Sequence, residues 1–162
     1  MSESMITVTD VTEKMNDEQP TVTVRVKTTM STISDDIGRI YHQVFSYLQE
    51  AGVEPVGVPF AWYHEMTEDE IDMEAGVAVG NPLEGNDQVK PSRLPGGPVA
   101  VVWYTGPYGD EMVPAYTAIE EWIQENGYEP AGGPWEYYWT DPAETAPEDY
   151  RTEIVWPIRK AS

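Results

Sequence analysis

The chain contains no cysteine, which excludes disulfides, thiolate metal sites and a cysteine nucleophile. Histidine is almost as scarce: His42 falls in a helix-like segment and His64 at a strand end, and two histidines at unrelated spacing do not make a ligand set. No metal and no cofactor are therefore expected. Basic residues are few, with nine Lys and Arg against 29 Asp and Glu, so the net charge is -20. A field of that sign repels phosphate backbones and anionic lipid surfaces, so neither nucleic acid nor a membrane is expected as a direct partner. No stretch approaches the roughly 18 consecutive apolar residues of a membrane span. The opening segment MSESMITVTDVTEKMNDEQP lacks the basic start and apolar run of a secretory signal, and a cytoplasmic location is the expectation. The phosphate-binding patterns G-x-G-x-x-G and G-x-x-x-x-G-K-[ST] are missing too. The acidic clusters Glu68-Asp69-Glu70 and 144–149 lack the glycine and alternating ligands of a calcium loop and read as solvated loops.

What is present is enough for one core: 162 residues, 40% hydrophobic and 11% aromatic. The chain also repeats itself. AGVEPVGVPFAWY (51–63) aligns without a gap on NGYEPAGGPWEYY (126–138), an offset of 75. Gly52 then matches Gly127, Pro55 matches Pro130, Pro59 matches Pro134 and Tyr63 matches Tyr138, while upstream Tyr41 matches Tyr116. The same offset sets Val24 and Val26 against Val99 and Val101.

Each half opens on a strand, in which Val22, Val24 and Val26 alternate with polar residues and Pro98 to Tyr104 is a short apolar run. A helix follows in each. Ile37, Ile40, Tyr41, Val44, Tyr47 and Leu48 recur at helical spacing after a Ser34 cap, and the second copy runs from about Asp110 to Asn126 with Ala115, Ala118, Ile119, Trp122 and Ile123 as its stripe. Two more strands complete each half, at about 59–64 and 73–80, then 134–140 and 152–158. The expected fold is α+β: two βαββ repeats related by a pseudo-twofold axis, with antiparallel sheet, two main helices and a ligand cleft between the halves. Residues 1–19 are expected as a flexible polar tail and 20–162 as one domain, with repeat 1 at about 20–80, a linker at 81–97 and repeat 2 at about 98–159.

The most unusual local sequence is Trp135-Glu136-Tyr137-Tyr138-Trp139. Strand alternation puts Glu136 and Tyr138 on one face, and the repeat sets Ala61 against Glu136, which makes the carboxylate the asymmetric feature. From the residues alone Glu136 either faces water on an edge strand or is buried and needs a cation or hydrogen-bond donors. Aromatic faces attract cations, and Tyr63, Trp103, Tyr104 and Trp156 are further candidates for the wall of a site.

The order of Gly106-Pro107-Tyr108, Tyr116, Trp122, Gly127, Trp135-Glu136-Tyr137-Tyr138, Asp141-Pro142 and Thr152-Glu153-Ile154 resembles the GyrI-like superfamily, which also forms the effector-binding domain of AraC-type and multidrug-responsive activators. The resemblance spans about 20–159. It implies a ligand pocket whose floor glutamate, here Glu136, meets cationic aromatic ligands, with Tyr138, Tyr63, Trp103, Tyr104 and Trp156 around it. Many relatives carry histidine near the Gly-Pro-Tyr turn, where this chain has Tyr104 and Thr105. Regulators of the family carry a DNA-binding domain ahead of this one, whereas about 20 polar residues precede the first strand here, so no direct DNA binding is expected. The resemblance implies a stand-alone protein that sequesters or senses lipophilic cationic or aromatic compounds. Two alternatives come with it: a hydrolase of reactive cyclopropanoid compounds using Glu136 and Tyr138, and an inhibitor of a protein partner such as gyrase.

Overall fold

The alternation of Val22, Val24 and Val26 forms a strand, and the three-and-four spacing of Ile40, Val44 and Leu48 forms the buried side of a helix. The computed structural model describes residues 6–141 and 143–161. Pro142 of the family motif and the first five residues of the expected tail lie outside them. In chain order the elements are β1 (Thr7–Val8), β2 (Thr12–Asn16), β3 (Gln19–Thr28), α1 (Ile33–Ala51), β4 (Phe60–Met66), β5 (Ile71–Ala78), β6 (Lys90–Leu94), β7 (Gly97–Thr105), α2 (Val113–Glu125), β8 (Tyr128–Pro130), β9 (Trp135–Tyr138) and β10 (Arg151–Lys160). Single 3-10 turns at Asp110–Met112 and Pro147–Asp149 precede α2 and β10.

The chain divides into two units, Asp17–Gly96 and the residues from Gly97 onward together with the described residues up to Asn16. In the first unit β4, β5, β3 and β6 pair in that order, all antiparallel, and α1 packs on β3 and β5. α1 starts at Ile33, one residue before the expected Ser34 cap, and Gly52 at φ 69° ends it in the left-handed conformation that glycine adopts without a Cβ clash. In the second unit β7 pairs with β1 and β2 on the N-terminal segment and with β10, which pairs in turn with β9 and β8. Ala115, Ile119 and Ile123 of α2 bury against Ala100, Val102 and Tyr104 of β7 and Ile154 and Ile158 of β10.

Both units contain the βαββ order, as β3-α1-β4-β5 and β7-α2-β9-β10. Their last two strands share one register. Phe60, Ala61, Trp62 and Tyr63 face Gly76, Ala75, Glu74 and Met73, and Trp135, Glu136, Tyr137 and Tyr138 face Val155, Ile154, Glu153 and Thr152. Ala75 and Ile154, 79 apart, are thus equivalent. The extra four residues lie in the connection after β9. The first strand corrects the sequence alignment: the register places Val24 with Val102 and Val26 with Tyr104, 78 apart, instead of with Val99 and Val101. Three fewer residues therefore join strand to helix in the second copy.

Two expected boundaries change. Within the expected tail, β1 and β2 pair with β7 and β3 begins at Gln19, and within the expected linker β6 pairs with β3. Their backbone groups bond to a sheet edge that needs partners, and edge strands tolerate the polar side chains that masked them.

Candidate functional site

The pairing of β9 with β10 decides which side chains can meet. Glu136 and Tyr138 share a face with their cross-strand neighbours Ile154 and Thr152, whereas Trp135 and Tyr137 share the other face with Val155 and Glu153. Ile154 belongs to the core beneath α2, so Glu136 projects toward that helix. Its residue is only 6% exposed.

A carboxylate taken from water needs donors, and two tyrosines supply them. The Tyr116 hydroxyl of α2 donates to Glu136 Oε2, and the Tyr138 hydroxyl donates to Glu136 Oε1 at 2.8 Å. Among the described residues no Lys, Arg or His forms an ion pair with it. Burial pushes the Glu136 carboxyl above the ordinary carboxylate range, and the Tyr116 and Tyr138 hydroxyls pull it partly back.

Aromatic rings surround this pair of hydrogen bonds. Tyr108 meets the Tyr138 ring edge-on at 5.5 Å and stacks on Tyr150 at 4.6 Å. Trp156 meets Tyr116 edge-on at 6.2 Å and donates its indole N–H to the Gly132 carbonyl at 2.9 Å. Tyr108 is 39% exposed, and its hydroxyl is pushed up to about 12, first by burial and then by Tyr150, Glu136 and Asp141. It stays protonated at neutral pH. Gly106 aims the turn that carries it: at φ 147° a Cβ there would meet the Tyr104 hydroxyl at 2.7 Å.

Of the residues singled out from sequence, Glu136, Tyr138 and Trp156 come together around α2. Tyr104 is fully buried in the core, and its hydroxyl donates to the Pro107 carbonyl at 2.6 Å, which secures the turn. Trp103 lies on the opposite face of β7, across from Glu153. Tyr63 lies in the Asp17–Gly96 unit, across from Met73. Tyr108, Tyr116 and Tyr150 were missed as site residues. For Tyr116 the signal was available, since it follows Ala115 and precedes Ile119 within the apolar stripe. Thr152, fully buried across from Tyr138, has a hydroxyl with no hydrogen-bond partner among the described residues. Among the described residues, no group of three or more His, Cys, Asp or Glu could hold a metal ion, and no helix is long and apolar enough to cross a membrane.

Both units are βαββ modules of an α+β fold. The chain belongs to the GyrI-like family, described as a GyrI-like small molecule binding domain, whose model matches residues 9–159. Small-molecule binding is thus the general function of the domain. The fold is similar to the crystal structure of the EcmrR C-terminal domain, with 22% identity, a TM-score of 0.81 and coverage of 94% of this chain and 98% of that one. In the EcmrR–DNA complex the chain spans 59% of the EcmrR chain. It is also similar to a hydrolase from Listeria innocua, at 12% identity, TM-score 0.69 and coverage of 93% and 92%. A third similar structure is SAV2435 bound to tetraphenylphosphonium, at 13% identity, TM-score 0.62 and coverage of 93% and 94%. No curated protein matches the sequence significantly.

Proposed function

We propose that the chain binds lipophilic aromatic cations, with Glu136 as their counter-charge and Tyr108, Tyr116, Tyr138 and Trp156 as the surrounding rings. The observation that carries this reading is a carboxylate buried under α2, bonded by two neutral hydroxyls and paired with no cation among the described residues. A ligand cation supplies the missing charge, and ring faces add attraction of about 0.5–2 kcal/mol each. The complex of SAV2435 with tetraphenylphosphonium supports the ligand class.

Tetraphenylphosphonium is the probe. At about 100 times its Kd it adds about 2.7 kcal/mol of stability, read as a rise in Tm of the wild type that is lost in Glu136→Gln. Triphenylphosphine oxide, neutral and similar in shape, is expected to raise Tm equally little in both. Equal stabilisation of the two proteins by the cation would overturn the reading.

The proton balance gives a second check. Because the folded carboxyl holds its proton more tightly than the unfolded one, the stability it contributes is complete below the ordinary carboxylate range and is lost as pH rises through the raised value. Glu136→Gln is therefore expected to gain stability relative to wild type as pH rises, with the difference closing on acidification. Cation affinity rises over the same window, since binding favours the ionised form.

The 2.8 Å bond between Tyr138 and Glu136 favours one other reading, a hydrolase in which the two act as acid and base on a strained ring. A trial cyclopropane ester consumed equally fast by the Glu136→Gln, Tyr138→Phe double variant would sink it.

A further inference from the structure

The internal repeat is longer than its βαββ order. β6 (Lys90–Leu94) lies 78 residues beyond β2 (Thr12–Asn16), and β7 begins at Gly97, 78 beyond Gln19 at the head of β3. Two residues join the strands in each copy, Asp17-Glu18 in the first and Pro95-Gly96 in the second. The pairing is crossed. β6 pairs with β3, from Gln19 opposite Leu94 to Thr23 opposite Lys90, and β2 pairs with β7, from Asn16 opposite Gly97 to Thr12 opposite Val101. Exchanging the copies turns one ladder into the other residue for residue, so each copy lends its leading strand to the other.

The connectors explain the crossing. A hairpin closed by two residues takes a type I′ or II′ turn, with positive φ at the first of them. Proline holds φ at about −65°, so Pro95 bars β6 from folding back on β7, although that hairpin would set Leu94 opposite Gly97, where Asn16 stands now. Among the described residues only glycines have positive φ, and Asp17 is no exception. The edge of β7 therefore takes its strand from the start of the chain. Thr12 to Met15 are exposed, so main-chain bonds hold β2 in place. Further up the segment, Ile6, Val8 and Val11 pack on the core beneath α2. The Thr9 N–H donates to the Trp103 carbonyl at 3.0 Å, and the Trp103 N–H donates to the Thr9 hydroxyl at 3.0 Å. All of these contacts form equally well with a segment from another molecule.

We propose that the edge of β7 is an interface for a second molecule of this chain, in which β1 and β2 of each molecule fill the β7 edge of the other. Asp17-Glu18 spans at most about 7 Å, so β3 and the strands paired with it travel with β2. The connector that opens is Pro95-Gly96, which joins the two units. Both ladders survive the exchange and only this hinge changes its path, so the dimer requires concentration and sacrifices no strand pairing. Within one molecule the segment acts at an effective concentration on the order of millimolar. The exchanged dimer is accordingly expected after refolding at roughly 1 mM protein. The net charge of -20 keeps two molecules apart, and molar KCl cuts the range of that repulsion to about 3 Å.

Because the chain has no cysteine, one introduced thiol per chain reports its partner. Met15→Cys and Pro98→Cys, opposite each other in the register of β2 and β7 and both outside the core, are unfolded together in urea, refolded at roughly 1 mM in molar KCl and oxidised. A disulfide joining one chain of each kind is expected at least tenfold more often than from Met15→Cys mixed with Glu125→Cys, an exposed thiol away from that edge. A yield equal to that of the Glu125→Cys mixture overturns the proposal. Light scattering on cysteine-free chains gives a second reading that no thiol can disturb. Deleting Gly96 is expected to raise the dimer fraction severalfold and inserting Gly-Ser-Gly-Ser after it to lower the fraction severalfold, since a short hinge favours exchange and a long one relieves it. A chain that stays monomeric at that concentration with and without Gly96, or a dimer fraction indifferent to hinge length, overturns the proposal as well.

Discussion

The two βαββ copies carry a tyrosine at the same helical position and use its hydroxyl differently. In α1 the Tyr41 hydroxyl donates to the Phe60 carbonyl at 3.0 Å, a contact with main chain next to Ala61. In α2 the equivalent Tyr116 donates to the carboxylate of Glu136, which stands where Ala61 does. Helix, strand and register are shared, so the difference resides in one strand position. A hydrogen bond to main chain joins helix to strand at every pH. A hydrogen bond to a buried carboxylate makes the same junction responsive to charge.

The sharpest test of the equivalence is large. Phe60 and Trp135 start β4 and β9 at the same register position, and both are fully buried. Phe60→Ala and Trp135→Ala should each cost about 3–5 kcal/mol in urea unfolding; a near-zero cost for either would break the comparison at its base. Next in size are the helix tyrosines. Tyr116→Phe should cost about 1.5–3 kcal/mol where Glu136 is ionised, and Tyr41→Phe about 0.5–1.5 kcal/mol. Losing the Tyr116 donor removes one of the causes that lower the Glu136 value, so its cost should shrink on acidification while that of Tyr41→Phe stays level. Equal pH profiles would show that the two hydroxyls play one role.

The smallest effects concern equivalent arginine contacts. Arg25 grips Asp72 on the first copy, and Arg151 covers Trp103 on the second. Replacing either by Met should cost under about 1 kcal/mol. Salt should erode the first contribution more than the second, because screening acts on the exchange between two ions.

Much of this fold was legible because period and repetition are properties of one segment at a time. Valine alternation marked β3, and the ungapped match from 51 to 63 marked the second copy. β2 escaped notice because Thr12, Glu13, Lys14 and Met15 are exposed and carry no apolar period, though their backbone pairs with β7. The same limit governed the site. Alternation placed Glu136 and Tyr138 on one face, but whether Trp103 shares it depends on the register of β7 against β10, which no single segment contains. Tyr108 depended on a turn shaped by Gly106, and Tyr116 on where α2 sits above β9.

The spacing between copies is 78 at the first strand, 75 from the helix to β4 and β9, and 79 at the last strand, so length change has accumulated in connections while the elements kept their frame. Gly52 and Gly127, both left-handed and both within the ungapped stretch, are then natural crossover points. A recombinant joining one copy's helix to the other's strand pair there would keep its reading of inside and outside, so the architecture can acquire or lose a buried carboxylate by exchange of whole segments as well as by point mutation.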